Sequence, residues 1–189
     1  SSWPSGFTTF NNALYFQANN GPRANGAELW KTDGTSEGTV MVKDIEYFGP
    51  GYSSPEGFTV FQNELYFQAT QNSTSTNGQA PIGTELWKTD GTENGTVLVK
   101  NINPNLRENS DPAGFTVFKG ALYFRANDGT SGMELWKTDG TADGTVRGKD
   151  INVGGDSNPT SLTVFNDTLY FQADDGVNGI ELWKSDGTE

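Results

Sequence analysis

Apolar and polar positions alternate along this chain in short bursts that recur. Residues 57–69 read Gly-Phe-Thr-Val-Phe-Gln-Asn-Glu-Leu-Tyr-Phe-Gln-Ala, two runs rich in aromatic and β-branched residues on either side of a polar pair. The same order returns at 6–18, at 114–126 and at 161–173, where Leu162 replaces the first Phe. Each copy continues into Glu-Leu-Trp-Lys-Thr/Ser-Asp-Gly-Thr, starting at Glu28, Glu85, Glu134 and Glu181. Three copies then add Gly-Thr-Val-x-x-Lys-Asp/Asn-Ile, at 38–45, 95–102 and 144–151. Alternation with period two, bounded by Gly, Asn, Asp and Pro, predicts strands, and no window sustains a helical period. For the second copy the strands are expected at 58–61, 64–69, 84–90 and 96–102.

The four signature tryptophans, Trp30, Trp87, Trp136 and Trp183, are 57, 49 and 47 residues apart. A unit of that size is one supersecondary element that cannot bury its apolar face alone. Four short strands per unit predict an all-β fold, a β-propeller of four-stranded blades. The blades are expected at about 1–52, 53–108, 109–156 and 157–189, the last lacking its outer strand. That strand's place falls either to further blades, closing a ring of more than four, or to a neighbouring subunit that self-associates through the fourth blade by adding a strand.

The loop lengths point to one face. From the second strand's Ala to the third strand's Glu there are 9, 15, 7 and 7 intervening residues, and from the last Ile to the next copy's Pro there are 9, 9 and 7. The other two turns keep their length. In a propeller the two variable loops emerge together, so binding is expected on that face, at 46–52, 70–83 and 103–111. Nineteen of the 23 aromatics occupy repeat positions, where core packing between blades is the simpler reading. Three of the four exceptions, Tyr47, Phe48 and Tyr52, lie among glycines in the first inter-blade loop and are the candidate ligand-binding residues; covering the top of the core is the alternative. The fourth is Trp3.

Composition removes much chemistry. The 189 residues include no Cys and no His, so thiolate catalysis, disulfides, Cys-type zinc sites and a histidine base are absent. With 24 acidic and 12 basic residues the net charge is −12, a poor match for nucleic acid or an anionic bilayer. No stretch of about 18 apolar residues predicts a membrane span. The chain starts at Ser1 without an initiator Met, as a processed product would. No cofactor is expected. Calcium at the turns of Asp33, Asp90, Asp139 and Asp186 stays open, although an Asx turn suffices to explain Asp-Gly-Thr, and 174–179 does not have an EF-hand's ligand spacing. The lysines after each Trp, Lys31, Lys88, Lys137 and Lys184, are expected on the opposite strand face, paired with acids. Asn72, Asn94 and Asn166 fall in glycosylation sequons that are also ordinary turn sequences.

The eight-residue signature resembles the ELWxxDGT repeat of large secreted or surface bacterial proteins, over all four copies. The stretch from Ala126 to Trp136 is also similar, more loosely, to the tryptophan-docking segment of quinoprotein propellers, which is structural there. The ELWxxDGT resemblance implies an extracellular propeller-like repeat. With no obvious catalytic residue, the expectation is a non-enzymatic module for adhesion or assembly, with a glycan or protein partner on the variable-loop face. The alternative is a carbohydrate-binding, lectin-type propeller whose sites recur with the repeat. A glycoside hydrolase or lyase would need only two suitably spaced carboxylates.

Overall fold

The computed structural model describes residues 1–19, 26–46, 51–73 and 80–188. Fifteen strands and no helix occur among them. They form four antiparallel sheets, each in plain sequence order: β1 (Ser5–Phe10), β2 (Ala13–Asn19), β3 (Ala27–Thr32) and β4 (Val40–Lys43); then β5 (Glu56–Phe61), β6 (Glu64–Gln71), β7 (Gly83–Thr89) and β8 (Val97–Lys100). The third sheet is β9 (Ala113–Phe118), β10 (Ala121–Asn127), β11 (Met133–Thr138) and β12 (Val146–Arg147). The fourth has three strands, β13 (Thr160–Phe165), β14 (Thr168–Asp174) and β15 (Ile180–Ser185). These are the blades of a β-propeller. The inner strands β1, β5, β9 and β13 pack one on the next around a common channel lined by Phe7, Phe58, Phe115 and Leu162.

Local chemistry explains the blade. The first hairpin turns on two residues of positive φ, Asn11-Asn12, Gln62-Asn63, Lys119-Gly120 and Asn166-Asp167, the type I′ geometry that suits the strand twist. Each inner strand carries a bulge at Gly6, Gly57, Gly114 or Ser161, where φ is positive and the register with the second strand shifts. Two of these glycines are also required by close approach. A Cβ on Gly6 would lie 3.1 Å from the Phe58 ring, and one on Gly57 2.8 Å from the Phe115 ring.

The core lies between blades. One face of each blade (Phe10, Tyr15 and Leu29 in the first) packs on the opposite face of the next (Leu65, Phe67 and Trp87). The second and third junctions repeat this, with Phe61, Tyr66 and Leu86 on Leu122, Phe124 and Trp136, and then Phe118, Tyr123 and Leu135 on Leu169 and Phe171. Trp87 and Trp136 are buried, while Trp30 and Trp183 are half-buried.

Lysines stitch the junctions together, though not as expected. Lys31 Nζ donates to the Gly91 carbonyl at 2.7 Å, Lys88 to Gly140 at 3.1 Å and Lys137 to Gly187 at 3.4 Å, each reaching the Asp-Gly-Thr turn of the next blade. Among the described residues Lys88 also forms an ion pair, with Glu64 at 2.8 Å, and the Lys31 charge helps lower Asp90. The pairing with acids thus gives way to a carbonyl, because the turn's positive-φ glycine aims its C=O across the junction.

Candidate functional site

The two variable loops meet on one face. A Cβ on Gly83 would collide with the Glu108 carbonyl, one on Gly129 with Asn103 and Asn105, and one on Gly176 with Asn152, so each loop after a second strand lies on the inter-blade loop beside it. The invariant turns gather elsewhere. Lys119, in a hairpin turn, donates to the Asp186 carbonyl in an Asp-Gly-Thr turn at 3.1 Å.

Of the three candidate ligand residues, Tyr47 and Phe48 lie outside the described residues. Tyr52 is 59% exposed, its ring against Gly26, where a Cβ would come within 2.7 Å of it. Beside it Glu46 is buried, and its Oε2 accepts the amides of Asn72 and Ser73, which ties the long loop to the inter-blade loop.

At the second junction the two loops enclose an open cleft of about 520 Å³. Its lining is polar: Asn103, Asn105, Asn109 and Asn127, with Glu108 and Thr130. The walls are built in. Asn103 Nδ2 donates to the Asn109 carbonyl at 3.0 Å, and Thr130 is held by Asp128, whose Oδ1 accepts its amide at 2.9 Å and its hydroxyl at 2.8 Å. The third junction repeats the frame: Asn152 Nδ2 donates to the Asp156 carbonyl at 3.1 Å, and Asn152 Oδ1 faces Gly176. Amides offer donors and acceptors together, and a carboxylate accepts, which suits a ligand dense in hydroxyls.

The signature glutamates lie behind the clefts rather than in their lining, Glu85 accepting the Asn103 amide from beneath at 3.3 Å. Glu28, Glu85 and Glu134 are fully buried, and each accepts a hydrogen bond from the serine that enters the next blade: Ser53, Ser110 and Ser157, all at 2.7 Å. Each also accepts the amide of Ile45, Ile102 or Ile151. Burial pushes Glu28 and Glu85 up to about 7 and raises Glu134. Such carboxyls are clasps between blades, closed to a ligand.

The Asp-Gly-Thr turns are likewise satisfied from within. Asp90 Oδ1 accepts the Thr92 amide at 2.8 Å and its hydroxyl at 2.7 Å, and the Thr92 hydroxyl holds Asp90 below the usual carboxylate range. Asp33, Asp139 and Asp186 repeat both features. Among the described residues no group of three acids is placed to hold a metal ion.

A further set escaped the sequence reading. The residue before each blade's opening proline, Trp3, Ser54, Asp111 or Asn158, has positive φ, 39° to 46°. A non-glycine residue rarely adopts that backbone. The residue after the proline faces the second strand: Gln17 Nε2 donates to Ser5 Oγ at 2.7 Å, Gln172 to Thr160 Oγ1, and Arg125 is the register partner of Ala113. The available signal was divergence: the chain places Trp, Ser, Asp and Asn at one repeat position between an unchanging Ser and Pro.

No family model and no curated protein matches this sequence. Solved structures do. The GH43B protein of the Bacteroides ovatus xyloglucan PUL aligns over 97% of this chain at 15% identity and a TM-score of 0.50, and the chain spans 38% of that protein's length. A family 117 glycoside hydrolase of Zobellia galactanivorans aligns over 97% of this chain and 65% of its own, at 15% identity and TM-score 0.46. An α-L-arabinofuranosidase from Clostridium thermocellum aligns over 100% of this chain and 69% of its own, at 16% and 0.41. At these identities the likeness is one of fold.

It nevertheless corrects the expectation of a non-enzymatic adhesion or assembly module. The three neighbours just named carry glycoside hydrolase family labels, 43 or 117, and are five-bladed propellers. The absent catalytic residues, His and Cys among them, had carried the non-enzyme reading together with the acidic surface and the repeat signature. They do not exclude this class, because glycoside hydrolysis runs on a pair of carboxylates and needs neither residue.

Proposed function

We propose that the protein is a carbohydrate-directed β-propeller that binds glycans in the polar clefts of its loop face. The observation that carries this reading is the cleft between 103–109 and 127–132, walled by four asparagines, with Glu108 and Thr130 beside them. Its frame recurs at the third junction around Asn152, so one chain offers more than one site and weak contacts sum through multivalency. The exposed Tyr52 supplies an apolar platform at the first junction. A fold shared with glycoside hydrolases supports the same ligand class. In line with the repeat resemblance, we place the protein outside the cell.

A glycan array probed with the intact chain tests this, with release of reducing ends followed on every retained glycan. Replacing Asn105 and Glu108 together by Ala should weaken retention about tenfold, the loss of one to two hydrogen bonds, while the thermal midpoint stays put. The triple replacement of Tyr47, Phe48 and Tyr52 by Ala examines the first junction in the same way. No glycan retained, or retention untouched by both variants, overturns the reading.

A further inference from the structure

Three junctions inside the chain define what a blade of this type packs against, and the chain presents each half of a fourth. On the leading face, Phe10, Phe61 and Phe118 are buried, and so are Leu29, Leu86 and Leu135; their fourth-blade counterparts, Phe165 and Leu182, are 62% and 75% exposed. Polar partners follow suit. The buried glutamates each clasp the serine entering the next blade, whereas Glu181 is exposed. Lys31, Lys88 and Lys137 reach the next blade's glycine carbonyl, whereas Lys184 has no hydrogen-bond partner among the described residues.

The first blade exposes the reciprocal half. Phe7 is 58% exposed where Phe58 and Phe115 are half-buried. Gly34, in the first Asp-Gly-Thr turn, has nothing near its Cβ position, while the hydroxyls of Tyr15, Tyr66 and Tyr123 close on Gly91, Gly140 and Gly187. Ser2 holds the β2 end, accepting the Asn19 amide at 2.8 Å as Ser53, Ser110 and Ser157 do for their blades, and its side chain is exposed. The fourth blade thus offers a lysine, a glutamate and an apolar face without their partners, and the first offers the matching turn glycine, serine and apolar face without theirs.

We propose that the open space between the fourth blade and the first is a docking site for one further blade of this same repeat. Such a blade brings both complements at once: a Phe/Trp face and a turn glycine for Phe165, Leu182 and Lys184, a serine for Glu181, and on its other side a Phe/Leu face, a lysine and a glutamate for Phe7, Gly34 and Ser2. A single blade fits because this chain superposes on a five-bladed ring while supplying four sheets around one axis. A whole second copy carries three blades more than a five-bladed ring has room for.

The test extends the chain. Appending a duplicate of residues 94–141 after Glu189 keeps the repeat in phase and provides the fourth blade's outer strand together with the first three strands of a fifth blade. The native chain should sediment as a monomer and bind the dye ANS. The extended chain should lose most of that fluorescence and gain about 10 °C in thermal midpoint, the scale of burying two large side chains. Leu182→Asp should abolish that gain in the extended chain. In the native chain it should reduce ANS binding with little change in midpoint. A folded extended chain with unchanged midpoint and ANS signal overturns the proposal. So does a native chain that sediments as a stable dimer without binding ANS, because a second copy then fills the site. Should the extended chain fail to fold, the native arm decides: absence of ANS binding, or insensitivity of it to Leu182→Asp, rejects the docking face.

Discussion

Replacing Glu28 by Gln isolates the cost of ionising a junction clasp. Glu28 Oε2 accepts the Ile45 amide at 2.9 Å and the Ser53 hydroxyl at 2.7 Å, while Oε1 has no hydrogen-bond partner among the described residues. A glutamine can keep both accepted bonds with its amide oxygen, and its NH2 falls where Oε1 stood. What it loses is the charge. Burial is the main force that lifts the carboxyl from the ordinary 4.5 to about 7, and the nearby Asp44 adds to it. A folded-state value above the unfolded one means that the fold prefers the protonated form. The stabilising contribution is therefore complete below about pH 4.5 and is lost as pH rises through about 7. At full ionisation the interval is worth about 3 kcal/mol, as an upper estimate. The variant should match the native chain near pH 4.5 and exceed it near pH 8.5, by up to about 10 °C in thermal midpoint for a chain of this length. Paired urea or thermal unfolding across that range reads the difference, in which every other titrating group cancels. A difference that does not vary with pH, or a variant that falls behind above pH 7, refutes the reasoning.

Trp87, buried between the first and second blades, should cost about 3 to 5 kcal/mol in urea unfolding when truncated to Ala; a loss under about 1 kcal/mol would remove it from the core. Iodide should quench Trp3, which is 76% exposed, and leave Trp87 and Trp136 shielded, so single-Trp variants that quench alike would contradict the packing. Asp90→Asn should lower the thermal midpoint at pH 7 and lose that effect in acid well below pH 3.8. The Thr92 hydroxyl and amide hold the native carboxyl below its ordinary 3.8, so its contribution is present above that value and disappears as pH falls through the depressed one. An equal effect at both pH values would mean that the turn does not depend on the charge.

Strand positions were legible because alternation, two-residue turns and the aromatic runs all agree. The third strand of the second copy, expected at 84–90, is Gly83–Thr89. The fourth was overextended: 96–102 contracts to Val97–Lys100, because the Ile102 amide leaves the ladder to bond Glu85. That bond also hid the glutamate's role. From sequence, Glu85 is one more polar residue beside a Trp, and only the folded chain brings it to Ser110, 25 residues on. The lysine partners were missed for a similar reason, since a backbone carbonyl across a junction leaves no mark in side-chain identity. The face of the cleft followed from loop lengths. Its residues did not, because asparagine in a loop reads first as turn chemistry.

The most recognisable part of this chain is the part least able to report on a ligand. In Glu-Leu-Trp-Lys-x-Asp-Gly-Thr the Glu clasps a serine, the Leu and Trp enter opposite faces of the blade, the Lys crosses to the next turn, and the Asp and Thr close their own turn. In the first three copies every member is engaged by its blade or its neighbours. Repetition of the signature therefore follows from repetition of the junction, and it would persist whatever the protein bound. On the proposed glycan reading, recognition resides where copies differ within an unchanged frame: Glu46, Asn103 and Asn152 at one inter-blade position, and Trp3, Ser54, Asp111 and Asn158 before the prolines. Those residues stand on the loop face or at the mouth of an inner strand, held by backbone that the repeat keeps constant. Exchanging them between junctions, with the signature left alone, should move binding from one junction to another.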